Sequence, residues 1–298
     1  MHLLDGRIMK PVQIEGLKRS IAPGPVQVIA VTGGKGGVGK SSVAVNLATA
    51  LTTAGRRVLL LDGDLGLANV DVMLGLTPRY TLANVLSGER TLEEIIVETA
   101  EGLQIVPAAS GVAEMANLGT AQHLGLVQAF SSLSQRLDVL VVDTAAGIAD
   151  GVLRFSQAAQ QVLLVICDEP TSFTDAYALV KVLSRQHGVS RFQVLANRTR
   201  APGQGEALFA KFERVTARFL DVTLEYAGEI PEDPFVQRAI REQKPVALAY
   251  PSSPAALGFK KLAARADKWP VPDGPRGNLE FFMERLVRRA APRLEVVQ

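Results

Sequence analysis

The chain has 298 residues, of which 47% are hydrophobic and 21% are charged, and its formal net charge is +2. This composition is typical of a globular protein of one or two domains, and the nearly balanced charge gives no whole-chain field that would draw the protein onto nucleic acid. A single cysteine and three scattered histidines exclude a disulfide framework, an iron–sulfur cluster held by this chain alone and the usual ligand spacing of a metal site.

Residues 1–25 are predicted to form an N-terminal extension that ends in Pro23-Gly24-Pro25. Charges are spread through this segment and it has no continuous apolar core, so it does not resemble a secretory signal. Later apolar runs such as RVLLLD are too short to cross a bilayer. We therefore expect a cytoplasmic protein.

From residue 26 onwards, short runs rich in valine, leucine and isoleucine alternate with longer segments of helical pattern. Seven runs are predicted to be strands: 26–32, 57–62, 103–108, 138–143, 161–167, 192–197 and 224–230. Continuously apolar strands separated by helices predict an α/β fold with a doubly wound, mostly parallel sheet and helices on both faces. We expect this domain to span residues 26–270, with irregular structure and a short helix between 66 and 101.

The sequence GKGGVGKS at residues 34–41 fits the phosphate-binding pattern G-x-x-x-x-G-K-[ST] and lies between a predicted strand and a predicted helix. Its four glycines are expected to permit positive φ and to bring backbone N–H groups close to phosphate oxygens. Lys40 is expected to reach the β- and γ-phosphates, and Ser41 to bind Mg²⁺. The loop also carries a second lysine, Lys35, that one bound nucleotide does not require.

Aspartates stand at the ends of two further predicted strands. DVLVVDTAAG ends a strand on Asp143, which is predicted to hold Mg²⁺ through water, and Gly147 follows as a hinge. RVLLLDGDLG ends another strand with Asp62 and Asp64, whose two-residue spacing puts both carboxylates on the same side of an extended chain. Because ligands of such sheets bind at the carboxyl ends of the strands, these acids are expected to lie beside the phosphate loop.

The pattern K-G-G-x-G-K-[ST] with its extra lysine, followed by LDGDLGLANVD and VVDTAAG, resembles the deviant-Walker-A ATPases of the MinD/ParA family. The resemblance covers about residues 26–289. It implies a P-loop NTPase fold, ATP and Mg²⁺ as cofactors, hydrolysis of ATP to ADP and phosphate, and a homodimer that forms on ATP binding. It also implies that Lys35 contacts the nucleotide of the partner subunit.

The resemblance assigns the site residues. It implies that Lys35, Lys40 and Asp64 are catalytic, with Asp64 positioning the attacking water. Gly63, next to Asp64, stands where the family usually has alanine or another small residue, and this exchange is expected to be harmless. The metal is assigned to Ser41, Asp64 and Asp143. The nucleotide is expected to contact Gly34, Lys35, Gly36, Gly37, Val38, Gly39, Lys40, Ser41, Ser42, Asp62, Asn197 and Pro231.

Two segments are expected to hold the base. Asn197, at the end of the run FQVLAN, matches the asparagine with which the family contacts the base, and an amide both donates and accepts at one purine edge. The turn at residues 230–233, which includes Pro231, matches the segment that flanks adenine. The alternative for Asn197 is a turn residue at the end of a strand.

Within the family, the chain is most similar to the FlhG/FleN group of flagellar-number regulators, through GLANVDVMLGL, IVPAASG, CDEPTSFTDAYALVKVL and PRGNLEFFMERLVRR. This similarity implies a dimer that restrains a FleQ-like AAA+ transcription activator. No direct, specific binding of nucleic acid is expected. The alternatives are a MinD-type division-site regulator that depends on membrane attachment, and a ParA-like DNA-segregation ATPase. An electron carrier of the nitrogenase-reductase type is excluded because the cluster cysteines are missing.

Two peripheral segments carry further hypotheses. Residues 271–298 are predicted to be a linker and a C-terminal amphipathic helix, with Phe282 and Met283 on its apolar face. This helix either docks on its own domain or lies in a membrane surface, which would put the protein at the inner membrane or the cell pole. Residues 12–18, VQIEGLK, partly resemble the motif with which some relatives activate a flagellar-placement GTPase. In DEPTSFTD, Ser172 and Asp175 are predicted to cap the following helix.

Overall fold

The computed structural model describes residues 25–64, 69–107, 129–130, 133, 137–271 and 282–285. The extension at 1–25, except its last residue, and the GTPase motif at 12–18 lie outside the described residues. The predicted linker and terminal helix at 271–298 are described only at residues 271 and 282–285.

An eight-stranded sheet of order β3-β4-β2-β5-β1-β6-β7-β8 runs through the centre of the described chain. Its strands are β1 (Gln27–Thr32), β2 (Val58–Gly63), β3 (Val97–Glu98), β4 (Gln104–Val106), β5 (Val139–Thr144), β6 (Gln161–Ile166), β7 (Arg191–Thr199) and β8 (Thr223–Pro231). Every neighbouring pair is parallel except β3 and β4. The predicted doubly wound, mostly parallel sheet is therefore confirmed, and all seven predicted strands are present.

Ten helices with defined bounds accompany the strands in the described chain. They are α1 (Lys40–Thr53), α2 (Val70–Leu74), α3 (Leu82–Leu86), α4 (Leu92–Ile95), α5 (Asp150–Ala158), α6 (Pro170–His187), α7 (Gln204–Ala217), α8 (Pro234–Arg241), α9 (Val246–Ala249) and α10 (Pro254–Ala266). The irregular stretch expected at 66–101 contains α2, α3 and α4, of which α4 begins with a capping box between Thr91 and Glu94. The same stretch ends in β3, whose two residues are too few to give a strand pattern.

Alternate residues of each central strand pack into opposite layers. Ile29 and Val31 of β1 belong to a core that α1 and α10 cover. Val28 and Ala30 belong to the core on the other face, beneath α3, α4 and α5. The continuously apolar sequence of the strands follows from this arrangement, because both faces of the sheet are covered.

The described part of the terminal segment packs on the second of these layers. Phe282 and Met283 are 1% and 0% exposed and belong to the same apolar cluster as Leu59, Leu61 and Phe155. The described residues 282–285 therefore lie docked on their own domain. Among the described helices, none is both long and apolar enough to cross a membrane.

The phosphate loop follows β1, the strand at which the order of the strands in the sheet reverses. β1 lies between β5 and β6; the chain passes from β1 to β2 on one side, and β6 to β8 extend on the other. In open α/β sheets, ligands bind at the carboxyl edge beside such a point. The segment between β1 and α1 occupies this position.

Candidate functional site

The loop between β1 and α1 uses its glycines in different ways. Gly37 and Gly39 have φ of 80° and 94°, which an L side chain rarely adopts. Gly34 lies against the backbone of α6, where an added Cβ would clash with the Asp175 carbonyl carbon. Gly36 has neither a positive φ nor a neighbour within 4 Å of an added Cβ. Of the four glycines that permit positive φ, two adopt it.

Lys40 begins α1 and points back across the loop. It is only 7% exposed, and its Nζ donates to the Lys35 carbonyl at 3.2 Å. Burial lowers the pKa of Lys40, while the nearby carboxylates of Asp143 and Asp64 act in the opposite direction. A cation in this position, next to the amino end of α1, can bind the phosphates of a nucleotide.

Asp143 ends β5 next to the loop and is completely buried. Neither of its carboxylate oxygens accepts a well-directed hydrogen bond among the described residues, although the Ser41 hydroxyl lies near enough to stabilise the charge. Burial raises its pKa to about 7, although the neighbouring Ser41 hydroxyl and the Lys40 cation favour the charged form. A buried carboxylate without a partner costs free energy unless a cation or water satisfies it. The pair Asp143 and Ser41 therefore fits a hydrated Mg²⁺ ion.

Asp62 lies beside Asp143 across the β2–β5 ladder and faces inward. It is fully buried, and its carboxylate accepts from the backbone N–H groups of Asp64 at 3.1 Å and Val70 at 3.4 Å. Burial raises its pKa to about 6, against these hydrogen bonds. Asp62 thus ties together the two ends of the segment 64–70, and its oxygens are already engaged in doing so.

Gly63 is required by packing, so the expectation that glycine is harmless at this position is not contradicted. A Cβ at this position would lie 2.8 Å from the Asp143 carbonyl oxygen and 2.9 Å from the Phe155 ring. Both distances are shorter than real Cβ contacts. Even alanine would therefore displace either β5 or α5 beneath the two strand-end aspartates.

Lys35, the second lysine of the loop, bonds within its own chain to the start of α6. Its Nζ donates to Glu169 Oε2 at 2.6 Å and to Thr171 Oγ1 at 2.8 Å. Both charged side chains are partly exposed, at 29% and 47%. Exposed ion pairs contribute about 0–1 kcal/mol, so this contact holds Lys35 only weakly.

The helix α6 begins three residues earlier than its sequence indicates. Its N-cap is Glu169, and Pro170 is the first helical residue. Ser172 lies inside the first turn, where its hydroxyl accepts from the Cys167 N–H at 3.0 Å. The predicted capping by Ser172 and Asp175 is therefore wrong, because the serine is used to fasten the helix to the end of β6.

The expected base contacts lie at the carboxyl ends of β7 and β8. Asn197 is 7% exposed, and its Nδ2 donates to the Val38 carbonyl of the phosphate loop at 2.7 Å. Since a carbonyl can only accept, the amide nitrogen must face Val38, and the amide oxygen is left for a ligand. Pro231 is half-buried at the end of β8. Asp233 caps α8 by accepting from Phe235 N–H, and it joins α8 to the first turn of α10 by accepting from Ala255 N–H.

The structure thus brings most of the predicted site residues to one edge of the sheet. Lys35, Lys40, Ser41 and Ser42 lie on the loop and the first turn of α1, with Asp62, Asp64 and Asp143 on the adjacent strands. The Gly147 N–H donates to the Gly33 carbonyl at 3.2 Å, which joins the hinge loop to the phosphate loop. Sequence reasoning missed Glu169 and Thr171 as partners of Lys35, although both lie in the segment DEPTSFTD that it had singled out.

The raised pKa of Asp143 has a consequence for stability. Because its folded-state pKa of about 7 exceeds the ordinary aspartate pKa of 3.8, the unfolded chain loses this proton first. The free energy of unfolding of the nucleotide-free protein should therefore fall as pH rises from about 4 to 7. Asp62 contributes in the same direction through its pKa of about 6. Asp143→Asn should remove the larger part of this fall, so that at pH 8 the variant is more stable by roughly 1–4 kcal/mol.

Urea unfolding of both proteins across this pH range, without nucleotide or magnesium, measures the effect. Asp71→Asn, which removes a partly exposed carboxylate at the start of α2, is the matched control for the loss of one carboxylate. If the free energy of unfolding of Asp143→Asn changed with pH in the same way as that of the unmodified protein, the raised pKa of Asp143 would be contradicted.

Comparison with known proteins gives consistent results. The family model described as the NUBPL iron-transfer P-loop NTPase, ParA, matches residues 25–266. The antiactivator FleN of Pseudomonas aeruginosa is 60% identical over 267 residues, which cover 90% of this chain and 95% of that protein. The flagellum site-determining protein YlxH of Helicobacter pylori is 31% identical over 270 residues, which cover 89% of this chain and 91% of that protein. The septum site-determining protein MinD of Pyrococcus horikoshii, solved with Mg-ADP, superposes with a TM-score of 0.64 at 29% identity, covering 82% and 96% of the two chains.

Proposed function

The chain belongs to the MinD/ParA family of P-loop NTPases, and on that basis we propose that it is an ATP-dependent dimerising switch that limits flagellar number. Its output is restraint of a FleQ-like AAA+ transcription activator, and ATP hydrolysis resets it. The observation that carries the proposal is the pair of lysines in one phosphate loop: Lys40 is buried at the loop, whereas Lys35 lies on an exposed contact that it can leave. The names of the two flagellar relatives support the biological output.

In the proposed mechanism, the loop binds the triphosphate through its backbone N–H groups and the Lys40 cation, assisted by the amino end of α1. Mg²⁺, when bound, would neutralise charge on the β- and γ-phosphates. Ser41, Asp143 and Asp64 would hold that ion, with Asp143 supplying the buried negative charge that accepts no well-directed hydrogen bond among the described residues. Asp64 also orients the water that attacks the γ-phosphate. Asp62 acts indirectly, because its hydrogen bonds fix the backbone on which Asp64 lies.

Dimerisation requires Lys35 to exchange one partner for another. In the single chain it bonds to Glu169 and Thr171. Two subunits that face each other across their nucleotides would offer Lys35 the phosphates of the partner's ATP, whose charge is higher and less exposed than that of Glu169. A cation supplied across an interface stabilises charge on the transferred phosphoryl group in the way an arginine finger does.

Asn197 is proposed to select adenine. With its Nδ2 bonded to Val38, the group that faces the base is the Oδ1 acceptor. An acceptor pairs with the exocyclic amine of adenine and repels the carbonyl of guanine, so ATP should be preferred to GTP. The half-buried Pro231 would flank the same base.

A pull-down tests the proposed output. The purified protein should retain the FleQ-like activator with a nonhydrolysable ATP analogue and release it with ADP. Failure to bind the activator in either state would refute the flagellar output, while leaving the ATPase assignment intact.

A ParA-like role would instead appear as ATP-dependent binding to arbitrary duplex DNA that falls steeply with added salt. A MinD-type role would appear as ATP-dependent binding to vesicles.

The terminal segment gives a second test. Phe282→Glu should lower the free energy of unfolding by at least about 3 kcal/mol, because it removes a buried ring and places a charge in an apolar core. Phe219→Glu, the same change at a phenylalanine that is 56% exposed, should cost little. Differential scanning calorimetry measures both. If Phe282→Glu leaves stability unchanged but abolishes ATP-dependent sedimentation with anionic liposomes, the segment serves the membrane and its docking contributes nothing.

A further inference from the structure

Positive charge is concentrated between residues 234 and 268, on α8, α9 and α10. This stretch contains seven basic and two acidic residues, a net charge of +5 in a chain whose total is +2. All seven basic residues are exposed. The rest of the chain is therefore net negative, and the field of the protein is strongly asymmetric. We name this surface, formed by residues 234–268, the basic face.

The two acidic residues of the basic face are already engaged. Glu242 accepts from Arg238 at 3.1 Å and from Tyr250 at 2.6 Å. Asp267 pairs with Arg56. Within the described part of the chain, the remaining cations of the basic face have no ion pair: Arg241, Lys244, Lys260, Lys261, Arg265 and Lys268. The last four lie along one side of α10 and its end, since they are spaced by helical intervals.

Apolar surface adjoins these charges. Leu257, on the same side of α10, is 47% exposed, and Ile240 of α8 is 39% exposed. At the segment 243–248, the basic face borders an open cleft of about 500 Å³, whose apolar wall consists of Leu74, Leu76, Leu103 and Leu248. Glu98 and Glu101 lie on the far wall of the cleft and limit the positive surface on that side.

The basic face is a rigid unit attached to the nucleotide site. One carboxylate, that of Asp233, bonds to the first turns of both α8 and α10, with Oδ1 accepting from Phe235 N–H at 2.9 Å and Oδ2 from Ala255 N–H at 3.0 Å. Asp233 follows Pro231, the proposed base contact, by two residues. A partner bound on the basic face would therefore contact helices that are anchored through Asp233, close to the proposed base contact.

We infer that the basic face is a docking surface for an acidic protein, with the cleft receiving an apolar side chain of that protein. This inference rests on the proposed function, because the acidic protein is taken to be the activator. Protein interfaces combine arginine and lysine at a polar rim with an apolar anchor in a pocket. A phosphate backbone would use the cations but not the cleft. A lipid surface would use the cations and the exposed Leu257 and Ile240, but not the cleft.

Charge reversal on α10 tests the inference. The variant Lys260→Glu/Lys261→Glu/Lys268→Glu should bind the purified activator at least about tenfold more weakly at low salt, and the difference should narrow as salt rises. Its matched control is Lys211→Glu/Arg214→Glu/Arg218→Glu, which reverses three exposed charges on α7 and should bind like the unmodified protein. Both variants should keep ATP-dependent dimerisation and thermal stability. Titration of each full-length protein with labelled activator, in the presence of the ATP analogue, gives the affinities.

The outcomes separate the inference from the function on which it rests. If the unmodified protein does not bind the activator, both are overturned. If it binds and the α10 variant binds equally well, only the docking surface is overturned. The docking surface alone is also overturned if the α10 variant still binds the activator but no longer binds duplex DNA or anionic vesicles, because the basic face then binds another polyanion. Should the reversals unfold the protein, Lys260→Gln/Lys261→Gln/Lys268→Gln replaces them, with a smaller loss of affinity expected.

Discussion

Asp64→Ala should slow ATP hydrolysis by at least about 100-fold while leaving ATP binding nearly unchanged. The carboxylate is proposed to orient the attacking water, and loss of a group that positions or accepts a proton in the transition state has an effect of this size. Binding should survive because the phosphate loop, Lys40 and Ser41 hold the nucleotide without Asp64. The ATP-bound dimer should then persist, since it can form but cannot be reset. Steady-state phosphate release, paired with a nucleotide titration, measures the two effects separately.

Asp71→Ala supplies the control for this experiment. Asp71 lies seven residues further along, in the first turn of α2, and is only partly buried. If only the carboxylate of Asp64 positions the water, removing the nearby carboxylate of Asp71 should leave ATP turnover within about twofold of that of the unmodified protein. Unchanged turnover in Asp64→Ala would show that the water is positioned by another residue.

The parts of the site that the sequence predicted are those that local chemistry determines. A glycine-rich loop between a strand and a helix has few other uses, so Lys40 and Ser41 could be placed without the structure. The aspartates at the ends of β2 and β5 follow from strand alternation and from the parallel sheet, and the structure pairs Asp62 with Asp143 in adjacent register.

What the sequence did not predict depends on contacts between distant residues. Lys35 reaches Glu169, 134 positions away, and Asn197 reaches Val38, 159 positions away. Gly63 is restricted by the ring of Phe155, which only the packing of α5 brings there. The two hydrogen bonds of Asp233 require the starts of α8 and α10 to lie close together, and no pattern along the chain encodes that. Such constraints act through tertiary structure, and a single sequence does not display them.

Lys35→Ala should still bind ATP with Mg²⁺ but should lose the ATP-dependent dimer, and with it at least about 1000-fold in hydrolysis. The estimate follows from the contribution of cations that are supplied across an interface to phosphoryl transfer. Lys40 already provides the local cation, so nucleotide affinity should be unaffected. Lys40→Ala should instead weaken nucleotide binding itself, which makes the two lysines separable. Light scattering with a nonhydrolysable ATP analogue, together with a direct nucleotide titration, tests both halves.

Glu169→Ala distinguishes an intersubunit role of Lys35 from a structural one. If the bond between Lys35 and Glu169 merely stabilises the loop against α6, removing either partner should impair the dimer to a similar degree. If Lys35 acts on the partner's nucleotide, Glu169→Ala releases it from a competing contact, and the dimer should form as well as before or up to about fivefold better, in line with the small free energy of an exposed ion pair. A Lys35→Ala protein that dimerises normally would show that the second lysine is not the contact between subunits, and the proposed switch would then need another residue to sense the partner's ATP.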